Sequence, residues 1–260
     1  MPDPSEDTLA EATEDALLGG RVRLRQPATG YRAAVDPVLL AAAVPARPGE
    51  RAAELGCGAG AAMLCLAARV PDLTVAGLEL QPDLAGLARH NIAAGGLSGR
   101  LAAVAGDLRA PPQPPFAPGT FDHVLANPPH LAAGAGTPPP DAGKALAHAE
   151  GEADLDAWIA AARRLLRPRG RLTLIHRADR IDGICAALSG GFGAVTLIPL
   201  WPLADRPARR IIVRARKDVR SPAAVLPGLV LHRPDGGYTD AAEQVLRHGA
   251  ALYPGPDQAN

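Results

Sequence analysis

The chain has 260 residues, is 47% hydrophobic but only 3% aromatic, and carries a net charge of +0. That length allows one large domain or two small ones, and the composition is that of a globule with a core of Ala, Leu and Val. It excludes a disordered polyelectrolyte, and no apolar run reaches the roughly 18 uninterrupted residues of a membrane span; the longest, 33–44, is cut by Asp36-Pro37.

Charge is unevenly spread. Residues 1–20 hold six acidic side chains and no Lys or Arg, and are expected to form a flexible acidic tail. Residues 161–220 hold fourteen Lys/Arg against four Asp/Glu. That segment has two readings: a set of phosphate contacts to a nucleic acid, or a solvated helix face beside an Arg-rich strand edge. Cys57, Cys65 and Cys185 have no paired spacing, so neither a disulfide framework nor a metal site is expected. The start of the chain lacks the positive-then-apolar order of a signal peptide, and a cytoplasmic location is expected.

In chain order, Arg21–Arg25 alternates strictly and reads as a half-exposed strand. Asp36-Pro37 then opens an apolar helix, with Asp36 as cap and Pro37 at the first helical position. A short strand over 51–56 runs into Glu54-Leu55-Gly56-Cys57-Gly58-Ala59-Gly60, followed by a helix over 61–70. Such glycines let the backbone turn tightly and approach a ligand at a helix start. The next strand, 73–80, ends with Glu79 and Leu80, about 20 residues on, where a carboxylate is placed to take ribose hydroxyls.

The loop separates two cofactor classes. Dinucleotide enzymes use G-x-G-x-x-G, with pyrophosphate against the helix N-terminus. Here the pattern is G-x-G-x-G, with Glu54 two residues before the first glycine. That carboxylate would repel pyrophosphate and attract an ammonium group, which favours S-adenosylmethionine over a nicotinamide cofactor.

Further on, a helix over 82–94 precedes a strand over 101–105 that ends in Gly106-Asp107, placing Asp107 to accept from an adenine amino group. A Pro-rich loop covers 111–118. The apolar run 121–126 reads as a buried strand and ends in Asn127-Pro128-Pro129-His130. Two prolines fix φ and remove two N–H donors, leaving a stiff turn with free carbonyls beside an amide that both donates and accepts. That fork suits an amino group on a planar substrate; an ordinary strand-ending turn is the plainer reading. A loop follows to Glu150, with His148 within it. Beyond it come a helix over 154–167, a strand over 171–176, a helix over 179–188 and strands over 195–200 and 209–216. No helix separates the last two, so 209–216 is expected to be antiparallel to its neighbour. A Pro-Asp-Gly-Gly turn and a helix over 240–247 close the chain. The expected division is a single domain over 21–250, with a cofactor-binding core over 51–200 and a flexible tail over 251–260.

The Glu54–Gly60 loop, Glu79, Asp107 and the Asn-Pro-Pro turn, in that order along a βα alternation, resemble the class I S-adenosylmethionine-dependent methyltransferases of the Asn-Pro-Pro-aromatic branch. Within that branch, Gly30-Tyr31-Arg32-Ala33-Ala34-Val35-Asp36, Ala147-His148-Ala149-Glu150 and the string Leu231–Thr239 resemble the bacterial tRNA1(Val) adenine-37 N6-methyltransferase family. The resemblance covers roughly 20–248. It implies a Rossmann-like α/β fold with a seven-stranded, mostly parallel sheet, an antiparallel last strand and helices on both faces. It places Glu54, Gly56, Cys57, Gly58 and Gly60 near the methionine end of the cofactor. Glu79 and Leu80 would lie at its ribose, Asp107 at its adenine, and Asn127 beside it. Asn127, Pro128, Pro129 and His130 would form the catalytic turn, gripping an exocyclic amine, foremost N6 of adenine in tRNA.

His130 departs from the pattern, which has Tyr, Phe or Trp to stack on the target base. Two further readings stay open here: methylation of a protein glutamine or an rRNA guanine amine, and a nicotinamide-dependent oxidoreductase or non-catalytic adenosine-binding module. The methylated position and the oligomeric state are not legible.

Overall fold

A computed structural model of the chain describes residues 12–29, 32–129 and 155–253. His130, the 131–150 loop with His148 and Glu150, and the Gly30-Tyr31 pair lie outside them.

The first element departs from expectation. Ala12–Leu17 forms strand β1, which pairs antiparallel with β2, Val22–Pro27. The acidic run is matched by Arg23 of β2 and by Arg32 beyond its end. Glu14 pairs with Arg23 at 2.9 Å, and Asp15 accepts from Arg32 at 2.6 Å and from Gln26 Nε2 at 2.8 Å. The described part of the expected acidic tail is therefore ordered by cross-strand charge pairing. At the other end, 251–253 is packed rather than loose. Leu252 is buried and donates its N–H to Ala42 O, and Tyr253 Oη donates to Gly228 O at 2.9 Å.

Helix α1, Val35–Ala43, also corrects the sequence reading. Its N-cap is Ala34, with no side-chain cap, and Asp36 lies within the first turn, paired with Arg210 at 3.0 Å. A missing cap costs about 1 kcal/mol, whereas each buried Leu or Val contributes about 1.5–3 kcal/mol. Pro37 through Ala43 are all buried, so packing holds this helix.

The core alternates as predicted. Strands β3 (Arg51–Leu55), β4 (Thr74–Glu79), β5 (Leu101–Ala105) and β6 (Phe121–Ala126) are parallel, with helices α2 (Ala61–Arg69) and α3 (Pro82–Ala94) between them. Helix α4 (Leu155–Leu165) leads into β7 (Leu166–Arg177), and α5 (Ile181–Leu188) into β8 (Phe192–Trp201). Strand β9, Arg210–Lys217, runs antiparallel between β7 and β8, as its missing crossover helix required. The order is β5-β4-β3-β6-β7-β9-β8, which is the seven-stranded sheet expected. Two short strands, β10 (Ala224–Val225) and β11 (Leu229–Val230), pair with β8 and bring the count to nine. The last helix, α6, covers Asp240–Leu246 and is capped by Thr239, whose Oγ1 accepts from Ala242 N.

Strand β7 is longer than 171–176 because it continues through Pro168 and Gly170, where its register with β6 shifts between Phe121 and His123. A bulge tolerates the proline that a regular ladder excludes. One core layer contains α1, α2 and α6 with Leu125, Ile175, Ile198 and Ile212; the other contains α4 and α5 with Val124, Leu172, Leu174 and Val213.

At the amino end of the sheet, Glu50 accepts from His123 Nε2 at 2.8 Å. Burial acts to raise the Glu50 carboxyl. The His123 hydrogen bond, the Arg47 N–H and the charges of His123 and Arg171 outweigh it, leaving the pKa at about 2. A depressed carboxylate stabilises the fold above its ordinary value and loses that contribution as pH falls toward 2. Glu50→Gln is therefore expected to lower Tm at pH 7 and to converge with the parent near pH 2. Thermal melts across that range check it, and parallel curves would contradict the pairing.

Candidate active site

The carboxyl ends of β3, β4 and β6 converge on one cleft, as the topology of open α/β sheets dictates. Glu54, Gly56, Cys57, Gly58 and Asn127 line it together, with Ala59, Ala61, Ala62 and Leu84. Its opposite wall is Gln26, Pro27, Ala33 and Pro37, from β2 and the start of α1.

Glu54 sits at the end of β3, 4% exposed, with Oε2 accepting from Met63 N in the first turn of α2 at 2.8 Å. Burial, and then the nearby charge of Glu79, push its carboxyl well above the ordinary 4.5; the Met63 N–H only partly offsets them. A cation placed beside it would reverse that shift and hold the carboxylate ionised. Glu79 is also 4% exposed, and it clamps the loop: Oε2 accepts from Gly58 N at 2.7 Å and Oε1 from Gln81 N at 3.0 Å. Leu80, next in the chain, is 47% exposed at the rim.

Two glycines are demanded by geometry. Gly56 has φ +65, and a Cβ there would lie 2.6 Å from the Trp158 ring on α4. Gly58 has φ +54 and open space where a Cβ would stand, so its backbone is bare toward the cleft. Gly60, φ +90, is the N-cap of α2. Gly56→Ala combines left-handed strain with a clash and is expected to cost about 2–4 kcal/mol; a denaturant titration checks it, and an unchanged midpoint would contradict the packing. The thiol of Cys57 is pushed well up by burial, then by the charges of Glu54 and Glu79. It is held as a thiol and offers no nucleophile.

Asn127 is half-buried at the end of β6, with Pro128 buried and Pro129 half-buried behind it. Of the predicted site residues, Gly60, Glu79, Leu80, Asp107, Pro128 and Pro129 are not among those that line the cleft. Asp107 follows β5 with its side chain 43% exposed, and its Oδ1 accepts from Arg109 N at 2.8 Å. His130 cannot be placed, being outside the described residues.

Three contributors went unread in the sequence. The wall from β2 and α1 is one. Asn91 on α3 is another: it is 3% exposed, accepts from Arg25 N at 2.9 Å, and donates to Arg25 O and Ala59 O, tying β2 to the glycine loop. Trp158, behind Gly56, is the third. The only signal was their type, a polar residue inside an apolar helical pattern and one of two tryptophans.

The donor set suits the expected cofactor. Glu54 and a bare glycine backbone line the cleft, buried Glu79 stands behind Gly58, and no cation is among the described lining residues; such a set suits an ammonium end and would repel pyrophosphate.

Comparison with known proteins agrees. Residues 52–170 match the family described as Methyltransferase domain. A tRNA1(Val) (adenine(37)-N6)-methyltransferase of Aeromonas hydrophila is 29% identical over 207 residues, spanning 79% of this chain and 84% of that protein. The protein of the same name from Porphyromonas gingivalis is 32% identical, over 63% of this chain and 66% of its own length. Among solved structures, a predicted O-methyltransferase of Agrobacterium tumefaciens superposes with a TM-score of 0.70 at 26% identity, over 84% of this chain and 98% of that one.

Proposed function

The chain belongs to the class I S-adenosylmethionine-dependent methyltransferases, and from that premise we propose that it methylates N6 of an adenine in transfer RNA. The observation that carries this reading is Asn127 at the end of β6, in the same cleft as Glu54 and the glycine loop. The names of the relatives supply the polymer and the base.

When bound, S-adenosylmethionine supplies an electrophilic methyl group. Glu54 would take the cofactor's ammonium, Glu79 its ribose hydroxyls with Leu80 beside them, and Asp107 the adenine edge. Asn127 Oδ1 and the Pro128 carbonyl would each accept one hydrogen from the substrate's amino group. A hydroxyl acceptor has one hydrogen and would leave one of these oxygens unmatched, which favours an amine.

An aromatic amine is a poor nucleophile because its lone pair is delocalised into the ring. Two fixed acceptors draw its nitrogen toward tetrahedral geometry and grow stronger as positive charge develops there. Holding the nitrogen against the cofactor adds an orientation contribution of up to several kcal/mol. The proton leaves after transfer, so no general base is needed. A base within a structured RNA must be splayed out to reach this cleft, and His130 would lie against it.

The reading is tested with valine tRNA transcripts carrying adenosine or guanosine at position 37. Transfer to the adenosine transcript alone is expected. Equal labelling of both would remove the positional assignment.

A further inference from the structure

Across β6, β7, β9 and β8, two adjacent rows of one sheet face carry polar side chains, and the second continues through Leu125 to Glu54 of β3. In the first row His123, Arg171 and Arg216 stand side by side on β6, β7 and β9. In the second, Thr173, Arg214 and Thr196 do so on β7, β9 and β8. The next row toward the cleft is Ile175, Ile212 and Ile198, all in the core.

Residues directly opposite in an antiparallel pair lie about 5 Å apart, and like charges there are destabilising. Arg171 nonetheless faces Arg216, and Arg214 follows one row on. The Arg214 guanidinium is held below its ordinary value, first by burial and then by the charge of Arg171; it donates to Tyr253 O at 2.8 Å. Glu50 is bonded to His123 and the Arg47 N–H and also feels the charge of Arg171.

Three side-chain polar atoms in these rows are buried with no hydrogen-bond partner among the described residues: His123 Nδ1, Thr173 Oγ1 and Arg216 Nε. His123 and Thr173 are both 0% exposed. Buried polar atoms are ordinarily paired, and leaving one unpaired is destabilising. A hydroxyl and a guanidinium N–H left over beside two further arginines are donors in want of an acceptor. Arg171, Arg214 and Arg216 are half-buried and border solvent, with Thr173 fully buried beside them.

We propose that these two rows form an anion site that takes a phosphate group, with Arg216 and Arg214 donating from β9 and the Thr173 hydroxyl from β7. A phosphate accepts in every direction and matches the planar fork of arginine. It has two sources: the backbone of an RNA substrate, which rests on the function proposed above, and free phosphate.

The first arm of the test is the Tm of the full chain in about 10 mM phosphate against chloride at equal ionic strength. The expected result is a phosphate-specific rise that weakens about tenfold in apparent affinity in Arg216→Gln, the effect of losing one charge-assisted hydrogen bond. Thr173→Val separates ligand binding from packing. Removing a merely orphaned hydroxyl would leave the phosphate response intact, and the site requires that response to fall.

The second arm is methyl transfer with RNA. A raised KM for RNA at unchanged kcat in Arg216→Gln, with competition by phosphate, assigns the site to the RNA backbone. An unchanged KM with the Tm response retained assigns it to free phosphate. Absence of any phosphate-specific rise in the parent protein overturns the site. Failure of RNA methylation alone overturns the substrate reading and leaves the first arm standing.

Discussion

Asn127→Ala is expected to lower kcat by about 100- to 1000-fold, the range seen when one preorganised electrostatic group is removed from a reaction centre. The KM for S-adenosylmethionine should move less. Asn127 lines the cofactor cleft, but so do Glu54 and Gly58, and Glu79 holds the Gly58 backbone from behind. The reason for the large kcat effect is rigidity. Asn127 closes a buried strand, and Pro128 and Pro129 fix the backbone beyond it. Its amide therefore meets the substrate amine with little reorganisation. Asn127→Asp is the sharper variant: it keeps an acceptor but adds charge and removes the amide donor, so partial activity is expected. Steady-state kinetics on both variants checks this, and full activity in Asn127→Ala would contradict the grip.

Glu54→Gln is expected to weaken S-adenosylmethionine binding by about 10- to 100-fold, the loss of a charge-assisted contact to an ammonium. The same change should leave the ligand-free protein as stable or more stable. The sign follows from the raised carboxyl. A folded-state pKa above the ordinary 4.5 means that folding favours the protonated form, so the ionised group detracts from stability as pH rises above 4.5. Gln removes that cost and still accepts from the Met63 N–H. The parent's affinity for the cofactor should rise with pH as Glu54 ionises, and the variant's should stay flat. Calorimetric titration at several pH values measures both. A variant that binds normally, or that unfolds more readily without ligand, would show that Glu54 only caps α2.

The parts legible in the sequence were those where local chemistry and the fold agree. Pro82 set the start of α3, the glycine loop set the junction of β3 and α2, and the absence of a helix before Arg210 set the reversed strand. The parts missed depend on partners far away in the chain. Ala12–Leu17 has weak strand propensity and becomes a strand through Arg23 and Arg32. Asp36 looked like a helix cap and is instead an ion-pair partner for Arg210, 174 residues away. Likewise, no local pattern could reveal that β2 walls the cleft, since Asn91, 66 residues away, ties it to the glycine loop. Asp107 was read by its place after β5; the structure turns it onto Arg109, and only a bound ligand would draw it away.

The most direct measurement is transfer from labelled S-adenosylmethionine to unmodified bulk RNA and to protein extract, with nucleosides resolved by mass spectrometry and Asn127→Ala in parallel. Label in N6-methyladenosine from the tRNA fraction, lost in the variant, is the result predicted. Label in methylguanosine, or in a protein glutamine, would contradict the substrate while leaving the cleft and its Asn-Pro-Pro turn in place.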